Sequence, residues 1–374
     1  MRITAYLRPG TTDAVQTGVA KHTIQVIRGL AAAEDVRLQL FTSRKALDEN
    51  GVLEDGSVLR DLPTVGYPGS RGLMERLWTV ANMPMVDRWT GPTDWLYCSL
   101  EAYVATKKAA LAVTVHDTHA FEPDLPWSNT SDHIRFRRRW EMRFRPIRKH
   151  ARLIFAVSEF IKSRLVELLD IDPRRIVVIG NGVEEEFFAD PPPIGSDGAM
   201  EALLPQPYLC VVGPPSPKKG LPYLLGVARE LSRRRPEMKI YVSAFTPPGD
   251  AVKLPDNIVH LGYVPLGRQV WLLRNATALL MLSRFEGFGI PPLEAMAVGT
   301  PAIVSAFAAL PEVVGEAGLI VDIERSDTIV DLIERLEADR PFRDAVVARG
   351  RARVSNFHWS SVVSRVLLAL RERL

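Results

Sequence analysis

The chain has 374 residues, 47% of them hydrophobic and 24% charged, with a formal net charge of +3. The length suits two domains, and the composition excludes long disorder, collagen and a bare coiled coil. So small a net charge does not by itself imply nucleic acid, and no apolar run reaches the roughly 20 residues of a membrane span.

Residues 3–7 predict a first strand, and the stretch MRITAY carries one basic residue and no apolar h-region, so no signal peptide is expected. A helix is expected over 18–33 and a second strand over 36–41. Residues 42–92 mix glycine, proline and charge with Trp78 and Trp89, and their structure stays open. Strand patterns resume at 95–98, where Cys98 lies, and continue at 111–115, 153–157 and 176–179, with helical patterns at 133–150 and 159–169 between them. Cys98 and Cys210 are far apart and form no CxxC pair, which argues against a disulfide framework or a structural zinc site and for a reducing cytoplasm. Alternating strands and helices predict a parallel sheet wrapped by helices.

The helix over 133–150 is strongly basic, with only Glu141 opposing its positive charge. Phe136, Trp140, Met142, Phe144 and Ile147 interleave with the arginines, and Pro146 should kink or break it near its end. Such a helix can pack its apolar stripe on the sheet, or attract an anionic membrane or a lipid-diphosphate acceptor through 133–152. Nucleic acid is disfavoured, since no recognition fold accompanies the patch. Asp170 and Asp172 form the only Asp-x-Asp and read as a turn before Pro173, not as a metal site.

Residues 190–199 are rich in proline and glycine, as linkers are. Strand patterns restart at 208–212, 239–243, 258–261, 278–282 and 302–304, with helices at 221–233, 268–275 and 292–298. Two doubly wound halves would each bind ligand beyond the carboxyl ends of their strands. No GxGxxG opens the first strand–helix unit, which disfavours a dinucleotide oxidoreductase.

The segment 284–301 reads RFEGFGIPPLEAMAVGTP. Glu286 sits in a glycine-rich turn and Glu294 eight positions later in a helix. Gly287 and Gly289 let backbone approach a ligand. Pro291 and Pro292 suit a helix start, and free amides there favour phosphate.

This string resembles the Glu, seven residues, Glu motif of the retaining GT-B glycosyltransferases of family four, a group that includes bacterial mannosyl-, glucosyl- and rhamnosyltransferases. Further signatures appear in the family's order: TGVAKH from Thr17, TVHD from Thr114, AVSEFIK from Ala156, GNGV from Gly180, VGPPSPKKGL from Val212 and FHW from Phe357. The resemblance implies an α/β chain of two Rossmann-like, doubly wound domains facing across a cleft. It implies an acceptor domain over 1–188, a linker over 189–207, a nucleotide-sugar domain over 208–355, and a helix over 356–374 that crosses back.

The resemblance also implies roles. Lys219 is expected on the donor diphosphate with Lys218 as auxiliary, beside Gly213; the family's arginine position after that glycine is Pro214. Glu286 is expected on the transferred sugar and Glu294 on the ribose hydroxyls. Gly287, Phe288, Gly289 and Ile290 would offer backbone near sugar and phosphates, and Tyr263 and Val264 would border the base. Gly18 belongs to the glycine-rich loop near the phosphates; Ala20 replaces the second glycine of that loop, which sets against a positive φ there. Lys21 and Asp117 are assigned to the acceptor, Asp117 either orienting the ring of His116 or capping the next helix. His116 is expected near the donor sugar's hydroxyls, and Glu286, Lys219 and His116 form the catalytic set.

The implied activity is retaining transfer of a hexose, foremost mannose from GDP-mannose, to a glycan or lipid-linked acceptor in cell-surface polysaccharide synthesis. UDP-glucose and other nucleotide sugars are the alternative donors. A nucleotide-sugar epimerase and a non-catalytic binding module are the competing classes. Neither a cofactor nor a metal is expected, because lysine and helix dipole can hold the diphosphate. Front-side attack through an oxocarbenium-like ion pair is the mechanism this family suggests, with a covalent route as the alternative.

Overall fold

The computed structural model describes residues 1–8, 17–189, 204, 207–244 and 254–374. The chain divides into two compact units, Met1–Gly182 with Trp359–Leu374, and Val183–His358. The proline-rich stretch at 190–199 lies outside the described residues.

The first unit is built on seven parallel strands: β1 (Arg2–Tyr6), β2 (Arg37–Ser43), β3 (Thr64–Tyr67), β4 (Trp95–Cys98), β5 (Ala110–Val115), β6 (Ala151–Ala156) and β7 (Ile176–Val178), ordered β3-β2-β1-β4-β5-β6-β7. Its helices are α1 (Gly18–Ala31), α2 (Arg71–Ala81), α3 (Asp87–Thr90), α4 (Ser131–His150), α5 (Glu159–Leu169) and the C-terminal helix Trp359–Glu372. Helices on both faces of a parallel sheet leave no solvated side, so strand sequences are continuous apolar runs. All four residues of β4 are buried. The C-terminal helix lies on α1, where a Cβ on Gly29 would fall 2.3 Å from Val363 Cγ2. Trp95 Nε1 donates to the carbonyl of Leu370 in the same helix, at 3.1 Å.

The stretch 42–92 contains β3, α2 and α3. Trp78 of α2 is fully buried against Tyr6, Phe41 and Tyr67, and its Nε1 donates to the Pro84 carbonyl at 2.9 Å. Helix α4 runs unbroken through Pro146. The carbonyl that this buried proline deprives of its helical partner belongs to Met142. Thr130 caps the start of α4 by accepting from the His133 amide.

The second unit has six parallel strands: β8 (Tyr208–Val212), β9 (Lys239–Ser243), β10 (Ile258–Gly262), β11 (Ala278–Met281), β12 (Ala302–Ser305) and β13 (Leu319–Val321), ordered β10-β9-β8-β11-β12-β13. Its helices are α6 (Leu221–Arg234), α7 (Leu266–Arg274), α8 (Ile290–Ala297), α9 (Leu310–Val314), α10 (Ser326–Ala338) and α11 (Arg340–Val354). Strands β11 and β12 are buried throughout, and Leu280 and Ile303, paired in register, join the core with Leu224, Val227 and Ile329 from the helices.

Strand order reverses between β1 and β4 in one sheet and between β8 and β11 in the other. In doubly wound sheets the crevice at the carboxyl ends beside such a reversal is where ligands bind. Every site residue expected from the sequence lies on a carboxyl-end loop or at the start of the helix that follows it, apart from Glu294 one turn into α8.

Candidate active site

In the second unit, the loop after β8 and the turn after β11 meet beside the strand-order reversal. Gly213 has φ +110°, a conformation that suits glycine, and its amide donates to the Ser243 carbonyl. Gly220, with φ +79°, starts α6. Between them, the Arg284 amide donates to the Lys218 carbonyl at 2.9 Å, which ties the two loops together.

Lys219 Nζ donates to both carboxylate oxygens of Glu286, at 2.6 and 2.7 Å. The Glu286 side chain is 9% exposed and that of Lys219 31%, so the pair sits at the mouth of the loop cluster rather than in bulk water. Ser283 Oγ also donates to Glu286 Oε1 at 2.7 Å, and Ser305 Oγ holds the Ser283 carbonyl. Lys218 turns elsewhere, with its ammonium 5.4 Å from the centre of the Phe285 ring.

Gly289, with φ +106°, precedes α8; a Cβ there would fall 2.6 Å from Leu310 Cδ2. Ile290 opens the helix and is followed by Pro291 and Pro292, which carry no N–H, so Ile290 supplies the amide at the head of α8. Phe288 is buried, edge-on to Phe357. Glu294 is buried one turn into α8, and Gln269 Nε2 of α7 donates to its Oε2 at 3.0 Å. Tyr263 is exposed and Val264 buried just beyond β10. The fold thus brings Lys219 directly onto Glu286, whereas the Gln269 partner of Glu294 comes from α7.

In the first unit, Gly18 is the first residue of α1 and Lys21 lies in its first turn, capped by Thr17. Ala20 is helical, so this start of α1 needs no positive φ at that residue. His22 is fully buried and stacks edge-on against His116 at 4.7 Å between ring centres. His22 Nδ1 donates to Asn181 Oδ1 at 2.7 Å. Burial, and then the neighbouring His116, hold the His22 pKa well below its ordinary value against the opposing Asn181 bond, so His22 is neutral.

His116 follows β5, with Nε2 2.8 Å from the Ser99 carbonyl, so that nitrogen carries the proton. Its Nδ1 is therefore the acceptor nitrogen. Glu101 accepts from the backbone amides of His116 and Asp117, which fixes this corner of the sheet. Asp117 Oδ1 accepts from the amide and ring of His119, which closes the turn before the short helix His119–Phe121, while the His116 ring is bonded to the Ser99 carbonyl and lies edge-on to His22. Asp170 ends α5 in a left-handed turn and Asp172 caps the next turn and pairs with Arg174, as a turn element should. No group of three or more candidate metal ligands occurs among the described residues.

Several supporting residues escape a sequence reading. Ser283 and Ser216, whose Oγ accepts from the Lys219 amide, each stand three positions before the residue they hold, a spacing that could have marked them. Gln269, Glu101 and His22 carry no local signal, because their partners come from other elements.

Two family profiles match the chain: Glycosyltransferase Family 4 over residues 16–187 and Glycosyl transferases group 1 over residues 201–353. The chain is 26% identical over 369 residues to the O-antigen chain mannosyltransferase B of Escherichia coli, a match that covers 94% of this chain and 95% of that one. Among solved structures it is similar to sucrose-phosphate synthase from Thermosynechococcus elongatus, with a TM-score of 0.74, 17% identity and 99% and 98% of the two chains covered. It is also similar to Anabaena HepE in complex with UDP-glucose, with a TM-score of 0.70, 14% identity and 100% of both chains covered. Those two likenesses establish the GT-B fold. The two profiles each match one half of the chain, and the Glu286–Glu294 motif lies inside the second; this protein belongs to glycosyltransferase family four, the GT-B transferases that use nucleotide-sugar donors.

Proposed function

We propose that this protein is a retaining, metal-independent hexosyltransferase that moves mannose from GDP-mannose to a glycan or lipid-linked acceptor in cell-surface polysaccharide synthesis. The observation that carries the donor assignment is the Lys219–Glu286 pair beside the β8/β11 reversal. Mannose is favoured by the full-length similarity to a mannosyltransferase. The second unit then takes the nucleotide sugar and the first most of the acceptor.

Each residue has a task in that reading. The donor diphosphate draws the Lys219 ammonium, and the carboxylate of Glu286 becomes an acceptor for hydroxyls of the sugar. As the bond from the anomeric carbon to the phosphate oxygen breaks, charge grows on the leaving diphosphate, and a fixed ammonium stabilises that charge most in the transition state. The Ile290 amide at the head of α8 adds to it. Gln269 fixes Glu294 for the ribose hydroxyls. His116, with its Nε2–H committed to Ser99, offers Nδ1 to a sugar hydroxyl. The acceptor oxygen bonds to the anomeric carbon on the face the diphosphate leaves, and its proton passes to a phosphate oxygen of that leaving group.

The test is incubation with GDP-mannose or UDP-glucose, with and without a glycan acceptor, in EDTA, followed by proton NMR of the product anomer. GDP release that depends on acceptor, with an α-linked product, is the expected result. An inverted anomer would overturn retention; turnover of UDP-glucose alone would replace the donor, and an isomer formed from donor alone would indicate an epimerase.

An anionic membrane surface is the companion proposal, with the enzyme at the cytoplasmic face. Leu73, Leu77 and Val80, spaced along one face of α2, are exposed together with Met83 and, on α4, Ile134 and Met142. Helices α2 and α4 are neighbours, and Arg138, Arg139 and Arg145 of α4 are at least partly exposed beside this apolar surface. No helix among the described residues is long and apolar enough to cross a membrane. Each basic residue near an anionic surface contributes about 1 kcal/mol. Sedimentation with phosphatidylglycerol vesicles should therefore carry the protein down, weaken with salt, and fall at least about tenfold when two of these arginines become glutamate. Equal sedimentation of the variant would remove the membrane from the account.

A further inference from the structure

Four of the signature segments each send one buried residue to the same place: His22 of TGVAKH, His116 of TVHD, Asn181 of GNGV and Trp359 of FHW. The His22 ring meets the His116 ring edge-on, with 4.7 Å between centres and 85° between planes, and meets the Trp359 ring at 5.9 Å and 74°. His22 Nδ1 donates to Asn181 Oδ1 at 2.7 Å. Thr23, the next residue of α1, bonds through Oγ1 to Ser99 Oγ at 2.9 Å, and the Ser99 carbonyl accepts from His116 Nε2. A Cβ on Gly182, beside Asn181, would fall 2.5 Å from the Trp359 amide nitrogen, so the two backbones lie in contact and the cluster has little room to shift. Only His116 among the four has a task in the proposed reaction.

The Ser99 bond anchors one atom of the His116 ring and leaves the ring plane free to turn about that anchor. The lone pair of Nδ1 lies in that plane, so the plane decides where it points. A second ring packed edge-on, a geometry that aromatic rings favour, fixes the plane. His22 is suited to this because its own plane is held by Asn181. It is also held in one tautomer. Nδ1 carries the proton, and Nε2 is buried with no partner among the described residues, so a second proton there would have no acceptor. A neutral His22 places no positive charge beside His116, and Nδ1 of His116 keeps its strength as an acceptor.

We propose that His22 is a positioning residue for the reaction: its ring sets the plane of His116, and so the direction in which Nδ1 meets a hydroxyl of the transferred sugar. The inference rests on the assignment of His116 to that sugar.

The first measurement needs no turnover. The chain has seven histidines, so isotopic labelling of histidine nitrogen gives a readable proton–nitrogen NMR spectrum of the ring atoms, with His116 assigned as the signal missing from His116→Gln. His116 should show a fixed Nε2–H tautomer in wild type and in His22→Phe, which keeps the ring. It should show a mixture of both tautomers in His22→Asn, which keeps a donor for Asn181 and removes the ring. A fixed Nε2–H tautomer in His22→Asn would overturn the proposal. Cooperative urea unfolding of each variant shows that it is folded.

Turnover of whichever of GDP-mannose and UDP-glucose the enzyme uses reads the consequence. His22→Asn should lower kcat at least about tenfold, since a small misplacement at the reacting centre costs up to about 10²-fold. His22→Phe should lower it by less, and the KM for the donor should hold, because the nucleotide contacts are untouched. In a His116→Ala background the His22→Asn change should alter kcat by less than about twofold, as expected when one residue acts through the other. An equal loss in both backgrounds would make His22 a packing residue and overturn the proposal. His116→Ala with wild-type turnover would instead remove the sugar assignment of His116, and the inference with it.

Discussion

Alanine at Lys219 is expected to lower donor-dependent turnover by about 10²–10³-fold, the loss expected on removal of one preorganised transition-state donor. The geometry makes the lysine a shared resource. Its ammonium satisfies both oxygens of Glu286, a carboxylate otherwise served by Ser283. Removing it withdraws charge from the leaving diphosphate and also strands a mostly buried carboxylate, which should cost about 1–3 kcal/mol of stability. The two effects separate in a second variant. Pairing Lys219→Ala with Glu286→Gln removes the stranded charge, so unfolding stability should recover; turnover stays low in the pair in either case, because Glu286 is itself assigned to the sugar. Turnover of Lys219→Ala alone equal to wild type would mean that the lysine acts only as a structural partner. Steady-state GDP release and urea unfolding of the same preparations read both quantities.

The second large effect is structural and reaches the same loop. A Cβ at Gly220 would lie 2.0 Å from the backbone oxygen of Leu282 and 2.5 Å from its carbon. Backbone cannot yield as a side-chain tip does, and φ at +79° adds about 1–2 kcal/mol for any residue with a Cβ. Gly220→Ala should therefore cost more than about 4 kcal/mol, in the range reserved for a named steric fault, and should separate the Lys218–Arg284 backbone bond that holds the loops together. Gly213 supplies the comparison. Its φ of +110° is as unusual, yet nothing lies within 4 Å of an added Cβ, so Gly213→Ala should cost only the conformational strain of about 1–2 kcal/mol. Equal urea midpoints for the two variants would contradict the close approach at Gly220.

Much of this site is legible in the sequence because its chemistry is local. Glu286 and Glu294 share one short segment in which β11 is buried on both faces and the glycine turn and prolines announce a helix start. The pairing of Lys219 with Glu286 is not local: 67 positions separate them, and only the adjacency of β8 and β11 brings them together. Likewise the sequence places His116 and Asp117 side by side, and only the fold decides that Ser99 bonds the ring while Asp117 closes a turn.

The stretch 42–92 resists reading for a physical reason. Helix α2 buries Met74 and Trp78 but exposes Leu73, Leu77 and Val80, so apolar residues stand on both sides and the 3.6-residue period is blurred. Its preceding strand has four residues, and Ser70 before the helix makes no capping bond with its side chain. The same exposed residues that hide the helix supply the apolar part of the proposed membrane surface. Pro146 misleads in the opposite direction, since α4 loses one hydrogen bond at this buried proline without ending.

The central claim is that the diphosphate of a nucleotide sugar is held at Lys219. Calorimetric titration of GDP and of guanosine into wild-type protein and Lys219→Ala tests it most directly. GDP should bind wild type at least about tenfold more tightly than the variant, consistent with the loss of one charge-assisted phosphate contact, while guanosine should bind the two alike. GDP affinity unchanged by the substitution would contradict it.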